Sequence, residues 1–283
     1  SADGPGVAAP GRGPKAARNC ARLLKSCKHI GMLPENTLLL ALLMSLVFLV
    51  AVAYSSVGHG GASGYLAVLG FFGLAPAFMA PSALLLNLLV AGLAFWNYWR
   101  AGHFVWRLLW PFLLTSIPCA FLGARLNISP RVYLLLLAAV LLWSAYRLLA
   151  VASPAGEEFR LELPSLRVAL PVGAAIGLLS GIVGVGGGIF LSPLMILLRW
   201  ADAKRTAATS AAFIWLNSAA GLYGRLTHQP VDWLALLWLV VPAVFGGVAG
   251  SRLGAQHLQG IWLRRILAGV LVLATVKLLT SIR

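Results

Sequence analysis

The amino-acid sequence predicts an all-α polytopic membrane protein made of two tandem structural repeats, eight to ten helical segments in all, with one short or broken helix in each repeat. Three observations predict it. Apolar residues make up 60 % of the 283 and charged residues only 10 %, with a mean hydropathy of +0.89, far outside the composition of soluble globular chains. Apolar stretches long enough to cross a hydrocarbon layer of ~30 Å recur along the chain. The chain also resembles itself: Gly58-His59-Gly60-Gly61 aligns with Gly184-Val185-Gly186-Gly187 at an offset of 126 (184 − 58 = 126). Pro81-Ser82-Ala83 then aligns with Thr209-Ser210-Ala211 at 128 (209 − 81 = 128), and Gly123-Ala124-Arg125-Leu126 with Gly250-Ser251-Arg252-Leu253 at 127 (250 − 123 = 127). Three anchors in matching order at nearly one offset point to an internal duplication.

In chain order, residues 1–34 are rich in Gly, Pro, Ala, Lys and Arg with one acid, Asp3, and read as a basic, disordered tail held on the cytoplasmic side by the positive-inside rule. The first repeat, 35–151, carries a span Thr37–Ser56, the Gly58–Ala62 break, a short apolar segment Tyr65–Phe72, and longer segments Ala80–Trp99, Val105–Leu126 and Arg131–Val151. Residues 152–166 form an acidic linker with Glu157, Glu158 and Glu162 between Pro154 and Pro164. The second repeat, 167–283, carries Arg167–Val183, the break at Gly184–Gly188, Ile189–Leu198, Ala207–Arg225, Trp233–Leu253 and Trp262–Leu279. If both short segments cross, the halves are inverted; if both are re-entrant, the halves are parallel. The loop-charge count argues against a simple five-crossing half with the tail inside and leaves both arrangements open.

The glycine breaks carry the chemistry. Glycine reaches positive φ and presents bare N–H groups, and irregular backbone at membrane depth is tolerated only where it is buried in protein or lines a cavity. The segment after Gly188 reads as a half-helix whose first amides point back at the glycines, and a helix N-terminus is an anion site. Paired, glycine-interrupted short segments are the sequence pointer to a transport site between repeats. The sign of the ligand follows from the acids. All seven, Asp3, Glu35, Glu157, Glu158, Glu162, Asp202 and Asp232, lie outside the middle of apolar segments, whereas a buried cation needs a negative partner at depth.

Neutral donors converge on the breaks. The residues expected to contact the anion are His59, Gly60, Gly61, Ser82 and Asn87 in the first repeat, and Gly186, Gly187, Gly188, Thr209, Ser210 and Asn217 in the second. Ser55, Ser56, Ser63, Ser180 and Ser218 lie nearby. Against this stands the ordinary use of Ser, Thr and Asn in membrane helices, bonding back to the preceding turn or linking helices. His59 stands where the second repeat has Val185, and either binds the anion as an imidazolium, carries a proton with it, or is a neutral ring satisfied by carbonyls. Arg125 and Arg252 occupy equivalent segment ends, as snorkelling cations do, and Lys204 and Arg205 precede Thr209 at a mouth.

Cys20, Cys27 and Cys119 cannot close a disulfide framework, and with no His or Cys cluster to complete a ligand set the sequence calls for no metal and no cofactor. The 22 Lys and Arg against 7 acids sit in the tail and at segment ends, which is membrane anchoring rather than a nucleic-acid surface.

The string Gly184-Val185-Gly186-Gly187-Gly188, then Pro193-Leu194, then Ala207-Ala208-Thr209-Ser210, resembles the signature of the TauE/SafE sulfite-exporter family, also called the toluenesulfonate uptake permease family. The resemblance covers Thr37 to Leu279. The first copy departs from it, with His59 inside the string, Ala62 at its end, no proline matching Pro193, and Pro81-Ser82 where Ala-Thr-Ser is expected. The resemblance implies movement of sulfur-containing oxyanions such as sulfite and organosulfonates across a bacterial inner membrane. The expected function is thus a multi-pass secondary transporter of small oxyanions working by alternating access, with the bilayer and the oxyanion as partners and a homodimer as an assembly the sequence admits. An anion channel of the same architecture is the alternative. An intramembrane scaffold fits less well, since a packing protein gains nothing from broken helices, and an enzyme would need a nucleophile, base or metal set that is missing.

Overall fold

A computed structural model describes residues 36–150, 163–227, 233–256, 271–273, 275–276 and 279–280. The basic tail, most of the acidic linker and most of the last expected segment lie outside the described residues. The helices are α1 Thr37–Ser55, α2 Ala62–Phe71, α3 Pro76–Arg100, α4 Trp106–Arg125, α5 Pro130–Ala150, α6 Leu166–Val183, α7 Gly188–Leu197, α8 Ala203–Leu226 and α9 Trp233–Gln256. There is no strand among the described residues.

Side-chain caps start two of these helices: the Leu38 N–H donates to Asn36 Oδ1 and the Arg205 N–H to Asp202 Oδ1, each at 2.9 Å, satisfying an amide that has no partner within its helix. Helix α3 begins at Pro76 rather than at the expected Ala80, because proline suits the first helical turn, where its missing N–H costs nothing. Six described helices, α1, α3, α4, α5, α6 and α9, are long and apolar enough to cross a membrane. Helix α8 is as long but too polar to be recognised by composition. It packs between α3 and α4, which cover its Thr209, Ser210, Asn217 and Ser218 from lipid.

Helix directions follow from which ends meet. The Tyr98 hydroxyl, near the end of α3, donates to Ser56 O just past the end of α1, at 3.1 Å, so α1 and α3 run the same way. Arg225 Nη2, near the end of α8, donates to Gly181 O and Ile182 O at the end of α6, at 3.1 and 2.7 Å, so α6 and α8 also run together. Yet α3 and α8 are antiparallel, with Asn87 bonded to Ser218 and Gly92 against Trp215. The two halves therefore run in opposite senses, the inverted arrangement of the two that loop charges left open. Counting crossings was a poor guide because α2 and α7, at 10 residues each, are about 15 Å long. Each reverses the chain while being too short to span a hydrocarbon layer of ~30 Å.

Helix pairing is exchange-symmetric. Helix α4 lies along α6 and α9 along α1, while α8 packs on α4 as α3 packs on α9. Swapping the halves maps each pairing onto another. Both long contacts are glycine seams: Gly173, Gly177 and Gly181 of α6 abut the backbone of Phe112, Ser116 and Ala120, and Gly246, Gly250 and Gly254 of α9 abut that of Phe48, Val52 and Ser56. A Cβ at Gly177 would overlap the Ser116 backbone, so bare backbone permits the approach that dispersion then stabilises. The outward faces carry exposed apolar side chains such as Leu42, Trp99, Trp106 and Phe245, with Trp96, Trp99, Arg100 and Trp106 grouped at the α3–α4 corner as an interfacial aromatic belt is.

Candidate functional site

The two glycine breaks are built alike. In the first, Gly58 and Gly61 take φ of 74° and 95°; in the second, Gly184 and Gly187 take 88° and 82°. The chain turns at each on an N–H that reaches back five residues, from His59 to Tyr54 O at 2.9 Å and from Val185 to Ser180 O at 3.2 Å. The half-helices then start from Gly61 and Gly187, neither capped by its own side chain. Only glycine holds such left-handed conformations without strain. From there α2 runs against α3 and α7 against α8, so the two half-helices point away from one another and their N-terminal ends meet.

One cleft lies at that meeting, lined by Tyr54, His59, Gly60, Gly61, Ala62, Ser63, Asn87, Val185, Ile189 and Ile214. It admits about one water molecule. Both breaks and the first turns of both half-helices thus border a single narrow space. Each helix N-terminus carries roughly half a positive charge, and the only carboxylate among the described residues, Asp202, caps the distant start of α8 and pairs with Arg205 at 3.3 Å.

Asn87 joins the breaks. Its Oδ1 accepts from Ala62 N–H, the first amide of α2, at 3.1 Å, and its Nδ2 donates to Val185 O and to Ser218 Oγ, each at 3.1 Å. Gly60 and Gly186 press against its carboxamide, leaving no room for a Cβ. His59 reaches across in the other direction: Nε2 lies 3.1 Å from Ser192 Oγ on α7, and Nδ1 lies 3.1 Å from Val57 O. Ser192 Oγ in turn donates to Ser210 Oγ at 2.7 Å and lies 2.9 Å from Gly188 O. Three elements, the first break, α7 and α8, are thereby tied by one hydrogen-bonded chain.

The remaining expected residues divide. Ser82 is buried and bonds back to Phe78 O at 2.6 Å, the ordinary use of serine in a helix. Asn217 bonds back to Phe213 O at 2.9 Å while its Oδ1 has no partner. Thr209 Oγ1 is buried without a partner, and so is Ser180 Oγ, whose side chain stands over Gly187. Gly188 packs on Ile214 and the Ser210 backbone. At the mouth, His103 on the α3–α4 turn sits near the start of α8, where partial burial and the Lys204 and Arg205 charges hold its pKa below the ordinary value against the pull of Asp202.

The family profile described as sulfite exporter TauE/SafE matches residues 43–278. The chain belongs to the TauE/SafE family. The probable membrane transporter protein y4hK of Sinorhizobium fredii is 36 % identical over 82 % of this TauE/SafE chain and 95 % of its own length. The probable membrane transporter protein YunE of Bacillus subtilis is 33 % identical over 36 % of this chain and 37 % of its own. The probable membrane transporter protein MJ0441 of Methanocaldococcus jannaschii is 28 % identical over 35 % and 40 %. No solved structure matches the chain. With its apolar helices, this TauE/SafE chain is a multi-pass membrane transporter.

Two residues of consequence escaped the sequence reading. Ser192 is a lone hydroxyl in the short apolar segment, and its position beside Pro193 inside a half-helix was the available signal. Arg225 stands at a segment end like the other basic residues, but only 7 % of it is exposed, and its guanidinium is turned inward onto the α6 carbonyls.

Proposed function

We propose that this TauE/SafE chain is a secondary transporter of small sulfur-containing or organic oxyanions, such as sulfite and organosulfonates, in a bacterial inner membrane. On this reading residues 35–151 and 167–283 are the two repeats, and the anion sits where the glycine breaks meet. The observation that carries it is the convergence of two oppositely directed half-helix N-termini on one cleft bordered by hydroxyls, a carboxamide and an imidazole. Such an arrangement attracts an anion electrostatically, and neutral donors hold it without an ion pair that would slow release.

The cleft as it stands is too narrow for an oxyanion. Admission requires the half-helices to separate, which supports alternating access over an open pore. Rocking of one half against the other opens the cleft to one side at a time, with Asn87 and the His59–Ser192–Ser210 chain as the contacts that break and reform. The test is uptake of radiolabelled sulfite and of methanesulfonate into proteoliposomes. Saturable uptake, competed by the other anion, is the expected result. Uptake linear in concentration would indicate a channel, and absence of uptake with either anion would remove the substrate class.

A further inference from the structure

The cleft's charge balance says which anions it takes, an inference that rests on the oxyanion reading above. Two half-helix N-termini supply about +0.5 each, roughly one positive charge together. Beside the Gly187 cap, against which its Cβ packs, Ser180 is 1 % exposed and its hydroxyl has no partner among the described residues. One negative charge is thus neutralised by backbone alone. A dianion leaves about one charge uncompensated in a site with no room for hydration, and desolvating ions is costly where the dielectric is low.

We infer that His59, acting through Ser192 and Ser210, sets the charge class of the transported anion: a monoanion when the imidazole is neutral, and a dianion only when it is protonated. The hydrogen-bond chain permits both states. With Nδ1–H donating to Val57 O, a neutral Nε2 accepts the single Ser192 proton, which must turn away from Ser210 Oγ and Gly188 O, and the Ser210 hydroxyl can then turn to donate to Ser192. With a proton on Nε2, that N–H donates to Ser192 Oγ, and Ser192 donates to Ser210. The Ser210 proton is thereby released toward another acceptor. Protonation therefore adds a full charge at the cleft wall and reverses the direction of two hydroxyls, with no heavy atom displaced.

Among the described residues, the other groups lining the cleft do not supply that charge. Around His59 stand Tyr54 on α1, Tyr65 on α2, and Tyr98 on α3 beside Ser56, phenols that stay neutral through the range in which histidine titrates. The mouth adds His103 with Lys204, and Arg205 paired to Asp202 at the start of α8. Among the described residues α6 and α7 place no charged side chain in the cleft.

The experiment measures thermal stabilisation of the purified protein in detergent by methanesulfonate, a monoanion, and by sulfate, a dianion, at pH 5.5 and pH 8. The readout is the ratio of the two apparent affinities. The wild type should favour methanesulfonate at pH 8, and the ratio should move at least about tenfold toward sulfate at pH 5.5. His59→Gln, whatever its absolute affinity for either anion, should hold the pH 8 ratio at both pH values. Ser192→Ala, which removes the partner of Nε2, should reduce the shift. An unchanged ratio in the wild type, or a full shift in His59→Gln, overturns the inference while leaving oxyanion binding intact. Failure of both anions to stabilise the wild type at either pH overturns the oxyanion reading and this inference with it. Should His59→Gln fail to fold, the wild-type ratio and Ser192→Ala still decide.

Discussion

Tyr98 and Arg225 cap the same place in opposite halves of the molecule. The Tyr98 hydroxyl donates to Ser56 O, and 126 residues further along (182 − 56 = 126) Arg225 Nη2 donates to Ile182 O. Each closes the C-terminal end of the helix that precedes a glycine break. The carbonyls of a last turn lack partners within the helix and carry the negative end of its dipole, so a buried donor there fixes where the break begins. Arg225 adds a second bond to Gly181 O, and Tyr133 covers Val183 O at 3.2 Å.

Arg225→Ala should destabilise the protein by about 1–3 kcal/mol, the usual cost of orphaning buried polar groups, read as a lower melting temperature in detergent. Arg225→Tyr, which imports the cap of the other half, should recover part of the loss. A melting temperature unmoved by Arg225→Ala would show that burying the guanidinium costs as much as its hydrogen bonds return.

The two caps also show how far the sequence could be read. The breaks and the spanning helices came from residue types with one physical use: glycines at positive φ and apolar stretches of spanning length. Helix direction did not, since it depends on which ends touch, as at Tyr98–Ser56, and loop charges report it only where segments cross fully. Nor did Asn87 declare itself. Sequence alone leaves a mid-helix asparagine equally suited to ligand and to linkage, and the linkage shows only in its contacts with Ala62, Val185 and Ser218, 25 to 131 residues away along the chain. Arg225 was hidden because a basic residue at a helix end has the same local sequence whether it snorkels or turns inward.

A second asymmetry sits at the far end of the half-helices. Arg199 is in the left-handed region, φ 54°, at the place where the first half has Gly73, φ 74°, and the following N–H groups close both turns alike, Leu74 to Leu69 O and Trp200 to Met195 O. A non-glycine residue there costs about 1–2 kcal/mol, offset in part by the roughly 0.5–1 kcal/mol of unfolded-chain entropy that glycine adds. Arg199→Gly should therefore raise stability by about 0.5 kcal/mol, and Gly73→Ala should lower it by about 1 kcal/mol. A fall in melting temperature for Arg199→Gly would show that its side-chain contact outweighs the backbone strain.

Asn87→Asp tests the electrostatics of the breaks. The carboxylate can still accept from Ala62 N–H but cannot donate to Val185 O or Ser218, and it places a negative charge where the two N-termini meet. It should act as a tethered anion, abolishing uptake in proteoliposomes, whereas Asn87→Ala should mainly destabilise, by about 2–4 kcal/mol for several orphaned groups. Normal uptake by Asn87→Asp would mean that the anion does not approach the α2 amides.

Thr209 offers the cleanest separation of stability from binding. Its hydroxyl is buried, with no partner among the described residues, so the folded chain bears the desolvation of that group without a hydrogen bond in return. Thr209→Val keeps the shape and removes the hydroxyl, and the melting temperature without ligand should stay level or rise. Ser210→Ala differs, because it breaks the 2.7 Å contact with Ser192 and should cost about 1 kcal/mol. If the Thr209 hydroxyl waits for an anion, Thr209→Val should weaken apparent affinity about tenfold, the loss of one hydrogen bond to a charged group, with maximal uptake less affected. Unchanged affinity would place the anion away from the first turns of α8 and leave Thr209 as an unpaired packing residue.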